Sequence, residues 1–189
     1  MYWLLSNELV DEDRDADLSG NFTTNLGDDM SFDDGEQIPF PITQAIYSLM
    51  EPLNGRLTDH LSISEIPGLV LSNKVCQLLE SLKISNFQRF PLTIFDTEKK
   101  EIAGGYSIVN VIGVVDCVDQ DASDLEYYDD GDIEFIDKLV LKEENIPEGA
   151  DIFRLARRTT LVIVSQKLKD AIEQAAMTGF VFYKPEDYA

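Results

Sequence analysis

Two stretches of this chain repeat one grammar, and they constrain the fold more than any other feature. In the first, the apolar run "LVLS", Leu69 to Ser72, leads into "NKVCQLLESLK"; in the second, "VIVS", Val162 to Ser165, leads into "QKLKDAIEQAA". Serine at the junction supplies a hydroxyl that can accept a hydrogen bond from the first free amides of a helix. Val75, Leu78, Leu79 and Leu82 then recur at i, i+3, i+4 and i+7, and Leu168, Ala171, Ile172 and Ala175 use the same offsets. Such spacing makes one apolar stripe on each helix, which must be laid on a sheet to be stable. Phe87 and Phe180 each follow their serine by fifteen residues and open apolar runs. The reading is therefore two strand–helix–strand units, from duplication or from convergent grammar, in an α+β fold with a largely antiparallel or mixed sheet and few amphipathic helices.

Other segments read as strands. "YWLLS" opens the chain; "FQRFPLTIFD" and "GYSIVNVIGVVDCV" are separated by a charged turn, "TEKKEIAGG"; "IEFIDKLVL", "DIFRLA", "TLVIV" and "FVFY" follow. Residues 67–184 carry the best-defined core. Residues 8–37 are polar, acidic and without sustained periodicity, which predicts a loop or partly disordered segment. With 189 residues and 44% apolar content the chain suits one domain, 1–189, able to bury a core without disulfides or metal. The start lacks the basic flank of a signal peptide, and no apolar run is long enough to span a bilayer. Cys76 and Cys117 stand in apolar surroundings without paired spacing, as expected of reduced packing residues in a cytoplasmic protein.

The formal net charge is −21, and its placement is uneven. Residues 8–36 hold eleven acids against the single Arg14, and residues 116–134 hold nine acids with no Lys or Arg. The rest of the chain, with sixteen acids and fourteen bases, is nearly balanced. Two acidic segments on an otherwise ordinary fold repel nucleic acid and anionic membranes and attract basic proteins.

Chemistry of other kinds is poorly served. A calcium loop starting at Asp11 would need glycine where Ala16 stands and glutamate where Phe22 stands; starting at Asp13 it meets Leu18 and Thr24. The stretch "DLEYYDDGDIE" fails the same test. His60 is the only histidine, so a histidine-rich metal site is excluded, and no Gly-x-Ser-x-Gly elbow accompanies it. It is read as structural or exposed. "AGGYS", around Gly104 and Gly105, lacks the dinucleotide fingerprint and the phosphate-loop lysine and reads as a turn. A carboxylate pair for hydrolysis cannot be chosen among 36 acids. No catalytic residue, metal ligand or cofactor is assigned, and the chain is not read as an enzyme.

The candidate binding surface is "DLEYYDDGD", comprising Asp124, Glu126, Tyr127, Tyr128, Asp129, Asp130 and Asp132. Tyrosines give large contact area at low entropic cost, and carboxylates around them steer a basic partner and bond to its Arg and Lys. The plainer alternative is a solvated loop whose tyrosines rest on the domain. "FRLARR", ending at Arg157 and Arg158, is the main basic cluster and is expected to offset neighbouring acids.

From Pro67 to Phe182 the chain resembles the immunity protein 11 family of bacterial polymorphic toxin systems, formerly a domain of unknown function. The matching words are "IPGLVLSNKVCQLLE", "YSIVNVIGVVDCVD", "KLVL", "DIFRLARR" and "VIVSQKLKDAIEQAAMTGFVF", and "YWLLS" resembles the family's start. Their order carries the likeness, especially Asn110-Val111 leading to Val115-Asp116-Cys117 and then Ile152-Phe153-Arg154. The acidic stretch 8–36 matches poorly. The resemblance implies a small cytoplasmic protein that binds and neutralises a cognate toxin, and it transfers no catalytic residues. Three other readings stand beside it: an acidic adaptor or scaffold without a toxin partner, a carboxylate-based hydrolase, and a divalent-cation sensor. The toxin's identity and the oligomeric state are left open.

Overall fold

The computed structural model of the protein describes residues 1–6 and 15–188. Chain order runs β1 (Tyr2–Ser6), β2 (Gly20–Thr24), β3 (Ala45–Leu49), β4 (His60–Leu61), β5 (Leu69–Ser72) and α1 (Asn73–Ser81). It continues with β6 (Phe87–Phe95), β7 (Glu101–Val111), β8 (Val114–Val115), β9 (Asp124–Tyr127) and β10 (Ile133–Lys138). It closes with β11 (Ile152–Leu155), β12 (Arg158–Ser165), α2 (Gln166–Gln174) and β13 (Val181–Tyr183). One sheet has the order β2-β3-β6-β7-β5-β4, a second β13-β1-β12-β11-β8, and β9 pairs with β10 as a separate hairpin. The architecture is α+β with mixed sheets, as the hydrophobic pattern predicts.

The two repeated units fall in different sheets with the same topology. β5 and β6 each run antiparallel to β7, which lies between them; β12 and β13 each run antiparallel to β1, which lies between them. Each unit is thus a split β-α-β, its helix crossing over an inserted strand. Ser72 Oγ accepts from the Val75 amide at 3.5 Å, and Ser165 Oγ accepts from the Leu168 amide at 3.2 Å. The likeness extends to a residue the repeat does not reveal in sequence. Ser72 donates to Asp59 Oδ1 at 2.8 Å, and Ser165 donates to Asp151 Oδ1 at 2.7 Å. Each aspartate also accepts the serine's amide on its main-chain oxygen.

Both helices close alike. Ile84 N–H reaches Leu79 O and Met177 N–H reaches Ile172 O, the Schellman pattern, with Lys83 at φ 61° and Ala176 at φ 51° in the left-handed position. Glycine is preferred there because a Cβ crowds the carbonyl. Ala176 is exposed, so Ala176→Gly removes strain without a cavity. We expect about 0.5–1 kcal/mol of added stability, read as a rise of roughly 2–3 °C in calorimetric Tm.

Period-two alternation splits each sheet between two cores. Leu69 and Leu71 of β5, Val162 and Val164 of β12 and the stripes of both helices share a central cluster. Val70 and Ile108 face outward into a second cluster covered by Ala16, Leu18, Phe32 and Ile38. Leu4, Leu161 and Ile163 face a third, covered by Cys117, Ile133 and Leu139. The two acidic segments therefore supply the covers on the outer faces of the two sheets. Cys76 and Cys117 are free and buried, and burial with the neighbouring Asp116 pushes the Cys117 thiol up to about 11.

Three expectations need correction. The stretch expected as loop contains β2 and holds Phe32 fully buried; its apolar residues are irregularly spaced because distant strands, not a local helix or strand face, receive them. Residues 8–14 of that acidic stretch, with the Asp11 and Asp13 loop starts, lie outside the described residues. The turn expected through Gly105 is confined to residues 96–100, where Asp96 Oδ1 accepts from the amides of Glu98 and Lys100. β7 begins at Glu101, and Gly105, at φ +102°, sits inside it beside register irregularities in the pairing with β6. Finally, "GYSIVNVIGVVDCV" is not one strand. Gly113, at φ +105°, breaks it, so that β7 ends in one sheet and β8 joins the other, parallel to β11.

Candidate partner-binding surface

All seven residues picked from the sequence lie on one hairpin and are exposed: Asp124, Glu126 and Tyr127 on β9, and Tyr128, Asp129, Asp130 and Asp132 in the turn to β10. The turn is built locally. Gly131 N–H donates to Tyr128 O at 3.0 Å, Tyr128 N–H to Asp132 O at 2.9 Å, and the Asp132 amide to Asp130 Oδ1 at 3.1 Å. Asp130 therefore uses one oxygen to shape the turn that presents the others. The segment is the turn of a paired hairpin that is anchored on one face.

The anchor is apolar and cationic together. Ile133 is buried in the third cluster, with Leu125 and Ile136 packed against it. Arg158 Nη1 donates to Ile133 O at 2.7 Å and Glu134 O at 2.6 Å, while Ile133 N–H donates to Arg157 O at 2.8 Å. Three rings of the hairpin are exposed to solvent: Tyr127 at 39%, Tyr128 at 52% and Phe135 at 59%. Between hairpin and domain lies an open cleft of about 500 Å³, lined by Tyr128, Asp130, Asp132, Arg157 and Arg158 among others.

Phe135 escaped the sequence reading for a geometric reason. In a regular strand it would share a face with Ile133 and be buried. The β9–β10 register slips between Ile133 and Phe135, which turns Phe135 outward and Ile136 inward. No residue pattern marks that slip.

The basic cluster does more than offset acids. Arg154 is 1% exposed and, among the described residues, donates to carbonyl oxygens: from Nε to Val111 O at 3.2 Å, from Nη1 to Thr159 O at 2.6 Å and from Nη2 to Phe32 O at 2.9 Å. Burial lowers its pKa to about 10, against the pull of Asp33 and Asp34, so it stays cationic at neutral pH. Arg158 likewise binds carbonyls. Both brace the main chain, because loop and strand ends leave carbonyls that no ladder satisfies, and Arg154 does so while Asp33 and Asp34 attract its charge. Asn110 adds a bond from Nδ2 to Glu36 O at 2.7 Å, and Gln88 both donates to and accepts from the Ile38 main chain. Residues 32–38 are thereby pinned to the core with Asp33, Asp34 and Glu36 beside the surface.

His60 is structural. It is 2% exposed, its Nδ1–H donates to Gly179 O at 3.0 Å, and its ring lies 5.2 Å from that of Phe180. Its Nε2 has no partner among the described residues, and burial lowers its pKa to about 4. Among the described residues no group of three or more His, Cys, Asp or Glu is placed to hold a metal ion, and no helix is long and apolar enough to cross a membrane.

Fold and surface define an α+β protein built of two split β-α-β units that presents a braced acidic and aromatic hairpin. The chain belongs to the immunity protein family (Imm11), whose model matches residues 13–187. The match takes in most of the acidic stretch before residue 36, where the sequence words alone show little likeness, and the whole hairpin. Membership points to toxin immunity, a role that is generally non-enzymatic. No curated protein matches the chain significantly.

Proposed function

We propose that this protein is a cytoplasmic immunity protein of a polymorphic toxin system, which neutralises a basic cognate toxin by direct contact through the β9–β10 hairpin. The observation that carries this reading is the exposure of Tyr127, Tyr128 and Phe135 on one hairpin set among carboxylates. Three large exposed aromatic side chains within nine residues are unusual on a monomeric surface, and exposed aromatics are favoured anchors of interfaces. Nine acids without a Lys or Arg across residues 116–134 give that anchor a long-range field for a positively charged partner. A toxin that cleaves nucleic acid needs such a positive surface, and an acidic protein competes there with phosphate. The same field disfavours nucleic acid and anionic membrane as partners of this chain.

The test is co-expression with a candidate cognate toxin, followed by binding kinetics on the purified pair. Growth rescue separates immunity from an adaptor role. Asp129→Asn, Asp130→Asn and Asp132→Asn combined should slow association roughly tenfold at low salt and flatten its salt dependence. Phe135→Ala should chiefly speed dissociation, costing about 2 kcal/mol of affinity. Unchanged rates at every salt concentration in the triple variant would remove the hairpin from the interface.

A further inference from the structure

A second feature lies away from the hairpin. A cavity of about 240 Å³ is lined by Asp15, Asp17 and Glu51, with Leu49, Pro52 and Leu53 beside them. Asp17 and Glu51 are exposed, whereas the Asp15 side chain is only 2% exposed. Arg56 occupies one of its oxygens: Nη2 and Nε reach Oδ1 at 2.6 and 3.1 Å. Oδ2 is buried and has no hydrogen-bond partner among the described residues. A buried carboxylate oxygen without a donor is costly to keep, and natural structures rarely leave one unless something else completes it.

The surroundings hold Asp15 in place. Its segment runs parallel to Arg56 in a short bridge, and the Ala16 amide donates to Arg56 O at 3.0 Å. The main chain approaches so closely that a Cβ on Gly55 would stand 2.8 Å from Ala16 N. Leu49, Pro52 and Leu53 form an apolar patch in the lining, Leu53 at 39% exposure, with Ser19 and Asn54 completing the wall. A recess with an orphaned acceptor in its lining, two carboxylates in solvent and an aliphatic patch beside them matches a side chain with a cationic head and a hydrocarbon stem.

We propose that this cavity is a receptor for one arginine side chain of a protein partner, its guanidinium on Asp15, Asp17 and Glu51 and its stem against Pro52 and Leu53. Arginine fits better than lysine. Its planar fork carries five donors and can serve several acceptors at once, and its weaker hydration lowers the cost of leaving water. The inference rests on this cavity alone and stands whether or not the hairpin binds a toxin.

The test uses the full chain, isotopically labelled, titrated with Nα-acetyl-arginine methylamide and followed by amide chemical shifts. Saturable changes confined to residues 15–19 and 49–55 are expected, with a dissociation constant on the order of millimolar for so small a probe. The lysine counterpart should bind several-fold more weakly, and the citrulline counterpart, of the same shape without charge, should produce no saturable change. Asp17→Asn with Glu51→Gln should weaken arginine binding by roughly tenfold and leave the rest of the spectrum in place, since both side chains are exposed. Equal response to citrulline, non-saturating changes spread over both acidic segments, or indifference to the double substitution would each overturn the proposal.

Discussion

Arg154→Met should lower the stability of the protein by about 3–5 kcal/mol, the largest single-residue effect expected here. Methionine fills the space of the stem and removes the buried charge, which returns part of the burial cost. It leaves the carbonyls of Val111, Thr159 and Phe32 without the donors they have in the native chain. Each such buried acceptor costs about 1–3 kcal/mol. Arg154→Lys should recover only part of the loss, because one ammonium cannot reproduce the geometry of the fork. Urea unfolding followed by the fluorescence of Trp3, the single tryptophan, measures the change. Hydrogen exchange supplies the local readout: protection at residues 32–38 should fall further than protection in α2, since Arg154 reaches directly to Phe32. Uniform loss across both regions would mean that Arg154 acts only through global stability.

The second large effect is a dependence on pH that comes from His60. Its pKa is about 4 in the folded protein, against an ordinary value of 6.5, so folding favours the neutral ring. Above pH 6.5 the ring is neutral in both states and contributes no slope. Between 6.5 and 4 the unfolded chain binds a proton that the folded chain refuses, so stability falls as pH falls, by about 1.4 kcal/mol per unit and about 3 kcal/mol in all. The chain's 36 acids titrate in an overlapping range, so the effect is isolated by difference. His60→Phe loses the bond to Gly179 O and should be less stable at pH 7. That deficit should shrink by about 2–3 kcal/mol between pH 7 and pH 4.5. Parallel stability curves for the two proteins would show that His60 does not carry the dependence.

Local grammar was readable from the chain; long-range bracing was not. Ser72 and Ser165 are helix caps because a strand run, a serine and a 3.6-residue stripe are contiguous, and contiguity makes a pattern visible. The aspartates behind them stand 13 and 14 residues upstream across a strand pair, and no local preference ties an acid to a serine at that distance. Arg154 and Phe32 are 122 positions apart. The expectation that "FRLARR" offsets acids holds in part, since Asp33 and Asp34 attract Arg154, but composition counts cations without showing which carbonyls a fold leaves unsatisfied. The hairpin residues were visible as an acidic and aromatic run, but Phe135 was hidden by a slip in pairing. The cavity at Asp15 was hidden as well, because its wall comes from residues 49–55 and its inner acid from the stretch read as loop.

The insertion of β1 between β12 and β13 has a consequence for synthesis. β1 leaves the ribosome before every other strand described, yet both of its partners lie beyond residue 157. At about 5–20 residues per second, "YWLLS" waits roughly 10–40 s before its last partner is made. During that interval an apolar strand with two unsatisfied edges travels with the nascent chain, while the sheet containing β2–β7 can already close. The five-stranded sheet is therefore completed late, and β1 is an apolar segment that a chaperone could cover until then.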